Sequence, residues 1–317
     1  MQHRRLSFAL TPALFACLCH SAFAAPDAGS LHRERTTEVN AAQPRQDADV
    51  DIAPHRTTPS EHDDTLVRVE GYSVFGNTFL SEQDITNTLA PFTGGDFRVD
   101  QIHDAANSLR QRYIDAGLFA AEVVIPPQAL GTDHIVVLYV YEGALAEQGV
   151  FLINSGDRVR DDTISAILAN NLTGGDHLQR SHVERAILLS GDLPGIGVNA
   201  SILPGQRDGE AIFQLETVNE QAVHGAVYAD NFGNYYTGEA RIGATVYIDS
   251  PTKRGDRITL DAITSGDRSG YVFAQYDAPV GGSGLRLGAS LDYLRYRLGE
   301  EFRNDGLEGN ATEGRLF

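Results

Sequence analysis

Two kinds of hydrophobic spacing divide the sequence. Beyond Glu220, apolar and polar positions alternate. Ala240, Ile242, Ala244, Val246 and Ile248 are interleaved with Arg241, Gly243, Thr245, Tyr247 and Asp249, and Leu285, Leu287, Ala289, Leu291 and Tyr293 with Arg286, Gly288, Ser290 and Asp292. A period of two marks a strand with one apolar face. Val223 to Asp230, Arg257 to Ala262 and Val272 to Ala278 repeat it on shorter runs, and glycine-rich turns such as Gly281-Gly282-Ser283-Gly284 separate the strands. Each run approaches the about ten residues that a tilted strand needs to cross a bilayer. The pattern predicts the strands of a membrane β-barrel; the alternative is one sheet of a soluble sandwich. Membrane barrels start at about eight strands, and an open edge in lipid leaves backbone groups unpaired. Five strands therefore predict only the first part of a barrel, over 220–317, truncated at its end. Glu308 to Leu316 lacks the alternation and is not predicted as a strand.

Between residues 65 and 219 the spacing is mixed and the sequence repeats itself. Thr93-Gly94-Gly95-Asp96 recurs as Thr173-Gly174-Gly175-Asp176, 80 residues later, with its flanking elements. The first copy reads as a strand over Thr65 to Val74, a turn at Gly76-Asn77 and a helix capped by Ser81-Glu82-Gln83-Asp84. A second helix follows, with Ile102, Ala106, Leu109 and Tyr113 on one face and Gly117 as its stop. Phe119 to Ile125 and His134 to Tyr141 are then strands. The second copy gives a strand over Glu147 to Ile153, helices over Asp162 to Ala169 and Ser181 to Leu189, and strands over Gly197 to Leu203 and Ala211 to Val218. Each copy is thus β-α-α-β-β: two helices on one face of a three-stranded sheet, with a strand edge left open. The fold class is α+β followed by all-β, with repeats over 65–143 and 144–219.

The ends and the composition narrow the function. Arg4 and Arg5, the apolar run Leu6 to Cys19, and Ala22-Phe23-Ala24 have the layout of a cleaved export signal over 1–24. Both cysteines, Cys17 and Cys19, leave with it, so the mature chain carries no disulfide or thiol chemistry. Residues 25–64 are polar and aperiodic and read as a linker, with a short polar helix placed at Leu31 to Ala42. With 25 basic against 43 acidic side chains the net charge is −18, reaching −20 once Arg4 and Arg5 are removed. Without clustered cations, nucleic acid is excluded as a partner. Gly195-x-Gly197-x-x-Ala200 runs into a strand where a phosphate cradle needs a helix N-terminus. His177 and His182 are off the spacing of one helical face and have no cysteine beside them, and His55, His62 and Asp63 fall in the linker. No serine sits in a nucleophile elbow. No catalytic, cofactor or metal site is expected, nor an enzyme.

Several short motifs, in their order and spacing, carry a family resemblance. They are Gly76-Asn77, Tyr113-x-x-x-Gly117, Ile125-Pro126-Pro127-Gln128, Tyr141-Glu142-Gly143, Leu193-Pro194-Gly195-Ile196, Leu203-Pro204-Gly205, Asp230-Asn231-x-Gly233, Thr237-Gly238 and Pro279-Val280-Gly281. From about Thr65 to Leu298 the chain resembles the hemolysin-activator type of two-partner secretion transporter, within the outer-membrane assembly-factor superfamily. The resemblance implies two periplasmic POTRA domains followed by a sixteen-stranded outer-membrane barrel, and export of one large unfolded exoprotein of the adhesin or cytolysin type. It implies as partners that exoprotein, outer-membrane lipid, and the barrel-assembly machinery during biogenesis. It also sets a plug helix at Leu31 to Ala42. The family's Arg-Gly-aromatic motif on an inward barrel loop is absent from this sequence. An assembly factor for other barrels and a stand-alone periplasmic binding module are the competing readings.

The resemblance places the client on the second-strand edges: Phe119, Glu122, Val123, Val124 and Ile125 in the first copy, and Val198, Ala200 and Ile202 in the second. An unfolded chain gains main-chain hydrogen bonds by adding to such an edge. On the barrel strands, Arg241, Asp261, Arg286 and Asp292 are expected to line the pore; alternatively, the arginines pair with Asp249, Asp261 or Asp292.

Overall fold

The computed structural model describes residues 65–317 apart from Asp267. The predicted export signal, the linker and the helix at Leu31 to Ala42 lie outside the described residues. The described part runs β1 (Leu66–Val69), β2 (Gly71–Phe75), α1 (Glu82–Leu89), β3 (Gly95–Arg98), α2 (Val99–Asp115), β4 (Glu122–Val124) and β5 (Ile135–Tyr141) through the first repeat. The second repeat holds β6 (Ala144–Asn154), α3 (Asp161–Asn171), α4 (Arg180–Gly191), β7 (Ile196–Pro204) and β8 (Glu210–Asn219). Then come β9 (Val223–Asp230), β10 (Arg241–Asp249), β11 (Arg257–Thr264), β12 (Ser269–Val280), β13 (Leu285–Arg297) and β14 (Glu308–Leu316).

Both repeats use one topology. In the first, the sheet order is β2-β5-β4, with β2 parallel and β4 antiparallel to β5; in the second it is β6-β8-β7 with the same senses. A parallel pair needs a long crossover, and the two helices supply it while covering one sheet face. Ile102, Ala106, Leu109 and Tyr113 are all buried, as their spacing predicts, against Val136, Leu138 and Val140. In the second core, Ile164, Ile167 and Leu168 of α3 and Val183 and Ile187 of α4 meet Phe213 and Leu215 of β8. Ser81 caps α1 by accepting a hydrogen bond from the Asp84 amide at 3.1 Å, and Arg112 of α2 reaches the Asp84 carboxylate at 2.8 Å. The hydroxyl of Ser81 and then Arg112 hold the Asp84 carboxyl below its ordinary pKa.

Three elements differ from the sequence expectation. The strand expected over Thr65 to Val74 breaks at Glu70: β1 leaves the main sheet and pairs with β3, the segment that begins inside the Thr-Gly-Gly-Asp motif. The second copy makes a shorter version, with Ala144 bridged to His177 and the Leu145 amide donating to the Asp176 carbonyl at 2.8 Å. The two motif copies are used one residue out of step. The Gly94 amide donates to Val69 and the Gly175 amide to Leu145, and those two glycines, not Gly95 and Gly174, hold positive φ. The strand expected over Phe119 to Ile125 is only Glu122–Val124. Finally, Glu308–Leu316 is a strand, paired antiparallel with β13 from Ala289↔Leu316 to Arg297↔Glu308.

β9 to β14 form one antiparallel meander, each strand bonded to the next. The register carries an outward row across the sheet, Val227, Ala244, Ala262, Val272, Tyr293 and Thr312, and an inward row of Thr245, Asp261, Phe273, Asp292 and Glu313. The outward face is apolar and exposed, with Ile242, Leu260, Leu285, Leu287 and Leu291 on it. Among the described residues no helix is long and apolar enough to cross a membrane, which says nothing about strands.

Gly76 holds the first repeat closed. Its φ is +86°, and a methyl group there would run into the Val140 carbonyl of β5. Gly76→Ala is expected to cost the first repeat about 2 kcal/mol or more, adding overlap to the strain of a positive φ. The loss should be visible as faster amide hydrogen exchange along α2 than in the unsubstituted chain.

Candidate functional site

Three of the short motifs meet at one end of the first repeat. Gly76 turns the chain so that the Asn77 side chain accepts from the Leu80 amide at 3.0 Å and from the Tyr113 hydroxyl at 2.5 Å. Burial, and then the nearby Glu142 carboxylate, push the Tyr113 phenol pKa upward, so it stays a donor. Glu142 is nearly buried, and its carboxylate accepts from the Thr78 amide at 2.7 Å, the Thr78 hydroxyl at 2.5 Å and the Phe79 amide at 2.8 Å. A buried carboxylate with three donors is stable where a bare one would be costly. His177 of the second repeat comes within 3.5 Å of the same carboxylate, so this knot also joins the repeats.

Phe119 corrects the sequence expectation for the first edge. It lies outside β4, is 6% exposed, and packs in the core of the second repeat with Leu145, Leu178 and Val183; Arg180 stacks over its ring at 5.6 Å. The Arg180 amide donates to the Gly117 carbonyl at 3.0 Å and the Leu178 amide to Gly143 at 2.8 Å, so the linker between repeats is bonded on both sides. Ile125 is also beyond the strand and packs against the first core. Glu122 and Val124 face solvent and Val123 faces the core. Past Val124 the ladder would put Pro126 opposite Val137, but a proline has no amide to give. The Gln128 side-chain amide stands in for it, donating to the Val137 carbonyl at 2.9 Å and accepting from the Val137 amide at 2.8 Å.

The second edge is longer and its polarity can be worked out. The Gly205 amide donates to Glu210 at 2.7 Å and the Glu220 amide to Gly195 at 2.9 Å, both in register with the β7–β8 ladder. Alternate residues of an antiparallel strand bond to the partner. Gly197, Asn199, Ser201 and Leu203 therefore turn their amides and carbonyls to β8. Val198, Ala200 and Ile202 turn theirs to the open side, where among the described residues no strand pairs with β7. The side chains of Val198, Ala200 and Ile202 meanwhile rest on the second core.

On the six-stranded sheet several inward charges are paired. Arg241 is 8% exposed and donates through Nε to Asp230 at 2.8 Å; Arg286 donates to Asp277 at 2.7 Å and to the Gly255 carbonyl at 3.0 Å. Asp230 and Asp277 thus take the bonds of these two arginines. Asp249 instead takes Arg257 at 2.6 Å and His224 at 3.1 Å, and Asp261 accepts from the Thr245 hydroxyl at 2.5 Å. Asp292 is buried beside Phe273 in the cross-strand row. Asp230, Arg257 and Asp277 are further charged residues of this face that spacing alone did not select. Asp249 and Arg257 become visible once strand register pairs them directly.

The second repeat is tied to two turns of that sheet. The Ser250 hydroxyl donates to the Pro194 carbonyl at 2.5 Å, the Arg160 amide to Lys253 at 3.0 Å, and Arg185 to the Ser283 carbonyl at 2.8 Å; Lys253 also bridges to Asp157 at 3.1 Å. The motifs Leu193-Pro194-Gly195 and Pro279-Val280-Gly281 therefore lie at a junction. The three opposite loops gather at the far end, where Gly299 donates to Tyr236 at 2.7 Å and Arg268 pairs with Glu300 at 2.6 Å.

With this geometry in place, residues 67–143 match the family of the POTRA domain, ShlB-type. That stretch is a POTRA domain. The chain is 21% identical over 236 residues to the heme/hemopexin transporter protein HuxB of Haemophilus influenzae, covering 74% of this chain and 41% of the relative. It is 25% identical over 284 residues to the hemolysin transporter protein HpmB of Proteus mirabilis, covering 87% of this chain and 48% of the relative. The fold matches that of CdiB from Escherichia coli with a TM-score of 0.61 at 18% identity, across 93% of this chain and 61% of the other. The chain spans about half the length of the curated relatives it matches. These are transporters, of the kind the sequence motifs resemble.

If Phe119 anchors the POTRA domain to the second repeat, Phe119→Ala should destabilise the second repeat by about 3 kcal/mol, the usual cost of truncating a core aromatic. Val124→Ala, on the solvent face of β4, should cost well under 1 kcal/mol. Urea unfolding of the two variants checks this; equal midpoints would place Phe119 outside the core.

Proposed function

We propose that this chain receives an unfolded exoprotein in the periplasm on its two repeats and begins the wall of the outer-membrane pore that exports it, as one partner of a two-partner secretion pair. The observation that carries the reading is the open side of β7, where three successive outward-bonding residues, Val198, Ala200 and Ile202, sit on a strand of nine residues. A main-chain edge accepts many sequences, which an unfolded client requires. The three-residue β4, closed at one end by Gln128, offers a shorter edge and is the secondary one.

The tie between the second repeat and turns 250–256 and 281–284 supports a position of that repeat beside the periplasmic mouth. From there the inward face of the sheet leads away with most of its arginines matched to aspartates, a hydrated wall to which a passing chain does not stick. No nucleotide is needed: folding of the client at the cell surface supplies direction. The relatives are transporters by name, which favours export over assembly of other barrels. The exposed apolar face of β10 to β13 favours lipid over water and disfavours the stand-alone soluble reading.

Strand addition is tested by two prolines. Ala200→Pro removes one outward donor and should weaken binding of an exoprotein N-terminal segment about fivefold, the worth of one main-chain hydrogen bond. Ser201→Pro breaks the β7–β8 ladder itself and should lower the melting temperature of the second repeat. Titration calorimetry and thermal unfolding separate the two; unchanged affinity in Ala200→Pro rules out pairing on β7. The membrane reading has its own test. The protein should stay monodisperse in detergent and aggregate on detergent removal, whereas a stable monomer in plain buffer overturns it.

A further inference from the structure

The outward face of β13 changes character along its length. From the turn tied to the second repeat it carries Leu285, Leu287, Ala289, Leu291 and Tyr293, all exposed, and then Arg295 and Arg297. The parity is unbroken: Asp292 and Leu294 point inward and are buried, so the two arginines stand on the same face as the apolar row. At about 3.4 Å per residue and a tilt near 40°, Arg295 and Arg297 lie about 26 and 31 Å above Leu285, just past the about 25 Å apolar band of a membrane barrel.

Their surroundings match that position. A cavity of about 770 Å³ on this part of the sheet is lined by Val227, Ile242, Val272 and Tyr293, with Arg295 and Arg297 at one side. The guanidiniums are 64% and 53% exposed, and Glu308, on the neighbouring strand, lies 4.0 Å from Arg295 and 3.1 Å from Arg297. Two cations face one carboxylate, which leaves a net positive charge on a surface that otherwise belongs to acyl chains. Arg268, the nearest further cation, is already paired with Glu300.

We infer that Arg295 and Arg297, above the apolar groove at Tyr293, form a site for a phosphate-bearing acylated lipid of the outer leaflet, the phosphate on the guanidiniums and an acyl chain along Val272 and Ile242. This rests on the membrane reading of the β9–β14 sheet. A guanidinium matches a phosphate with paired donors. The site faces lipid, away from the export path, and fixes the height of the wall in the bilayer.

The test uses the protein extracted from outer membranes in mild detergent and incubated with bisphosphorylated lipid A or with the same lipid stripped of phosphate, bound lipid being read by native mass spectrometry. The expected result is at least tenfold more retention of the phosphorylated form, lost in R295A/R297A and largely kept in R295K/R297K. E308Q, which removes the competing carboxylate, is expected to raise retention, an outcome that misfolding could not mimic. Equal retention of the two lipids by a chain that enters micelles, or no change in R295A/R297A and E308Q, overturns the site and leaves the membrane reading standing. A protein that never needs detergent overturns both.

Discussion

An open strand edge is tolerated in water and intolerable in lipid, and the described chain is arranged around that difference. Each unpaired amide or carbonyl in a hydrocarbon layer costs several kcal/mol, whereas in water it costs little and can be used. The three-stranded sheets of the two repeats end on β4 and β7 with free sides. The six-stranded sheet instead bonds every inner strand on both sides over long, regular ladders. Its outer strands, β9 and β14, are the places where partners are still required if the surrounding medium is lipid.

The edges are useful only if they are held in place relative to the wall, and small, specific contacts do that. Phe119 leaves the POTRA domain to complete the neighbouring core, and Glu142 gathers the Thr78–Phe79 turn while lying against His177. On the other side, Ser250, Lys253 and Ser283 from the sheet turns grip the helix ends and the Leu193-Pro194-Gly195 segment of the second repeat. The second repeat is thus bonded at both ends, and β7 is the long free edge on the best-anchored body.

Much of this could be read from sequence, for identifiable reasons. The period-two runs survive because burial on one face and exposure on the other constrain every second residue, and the helix of Ile102 to Tyr113 survives because its stripe is long. What escaped has no period. Leu66 to Val69 is separated from β2 by one residue, Glu70, whose amide bonds to His134 and not to the β1 partner. The shift of one residue between the two Thr-Gly-Gly-Asp copies is invisible to any comparison of letters. Phe119 sits among residues that read as a strand, and only packing across the repeat boundary shows it as core. β14 is mostly small and polar, so no alternation marks it; pairing with the thirteen-residue β13 makes it a strand.

Register explains why selecting charged residues by type found the inward face of the sheet but not its pairs. Asp249 and Arg257 are directly opposite on β10 and β11, and Asp230 and Arg241 on β9 and β10, so each pair is made by a hairpin whose length decides which side chains meet. Buried ion pairs of this kind add little net stability over a well-packed apolar pair. Their value on an inward face is different: each arginine is neutralised by a neighbour, so the face stays polar with its cations matched, although the whole chain carries −18. Under the export reading proposed above, an exoprotein of any composition meets a surface that neither binds nor repels it strongly. Arg295 and Arg297, exposed and sharing one carboxylate, stand on the opposite face of the same sheet, where the proposed lipid site would use their excess positive charge.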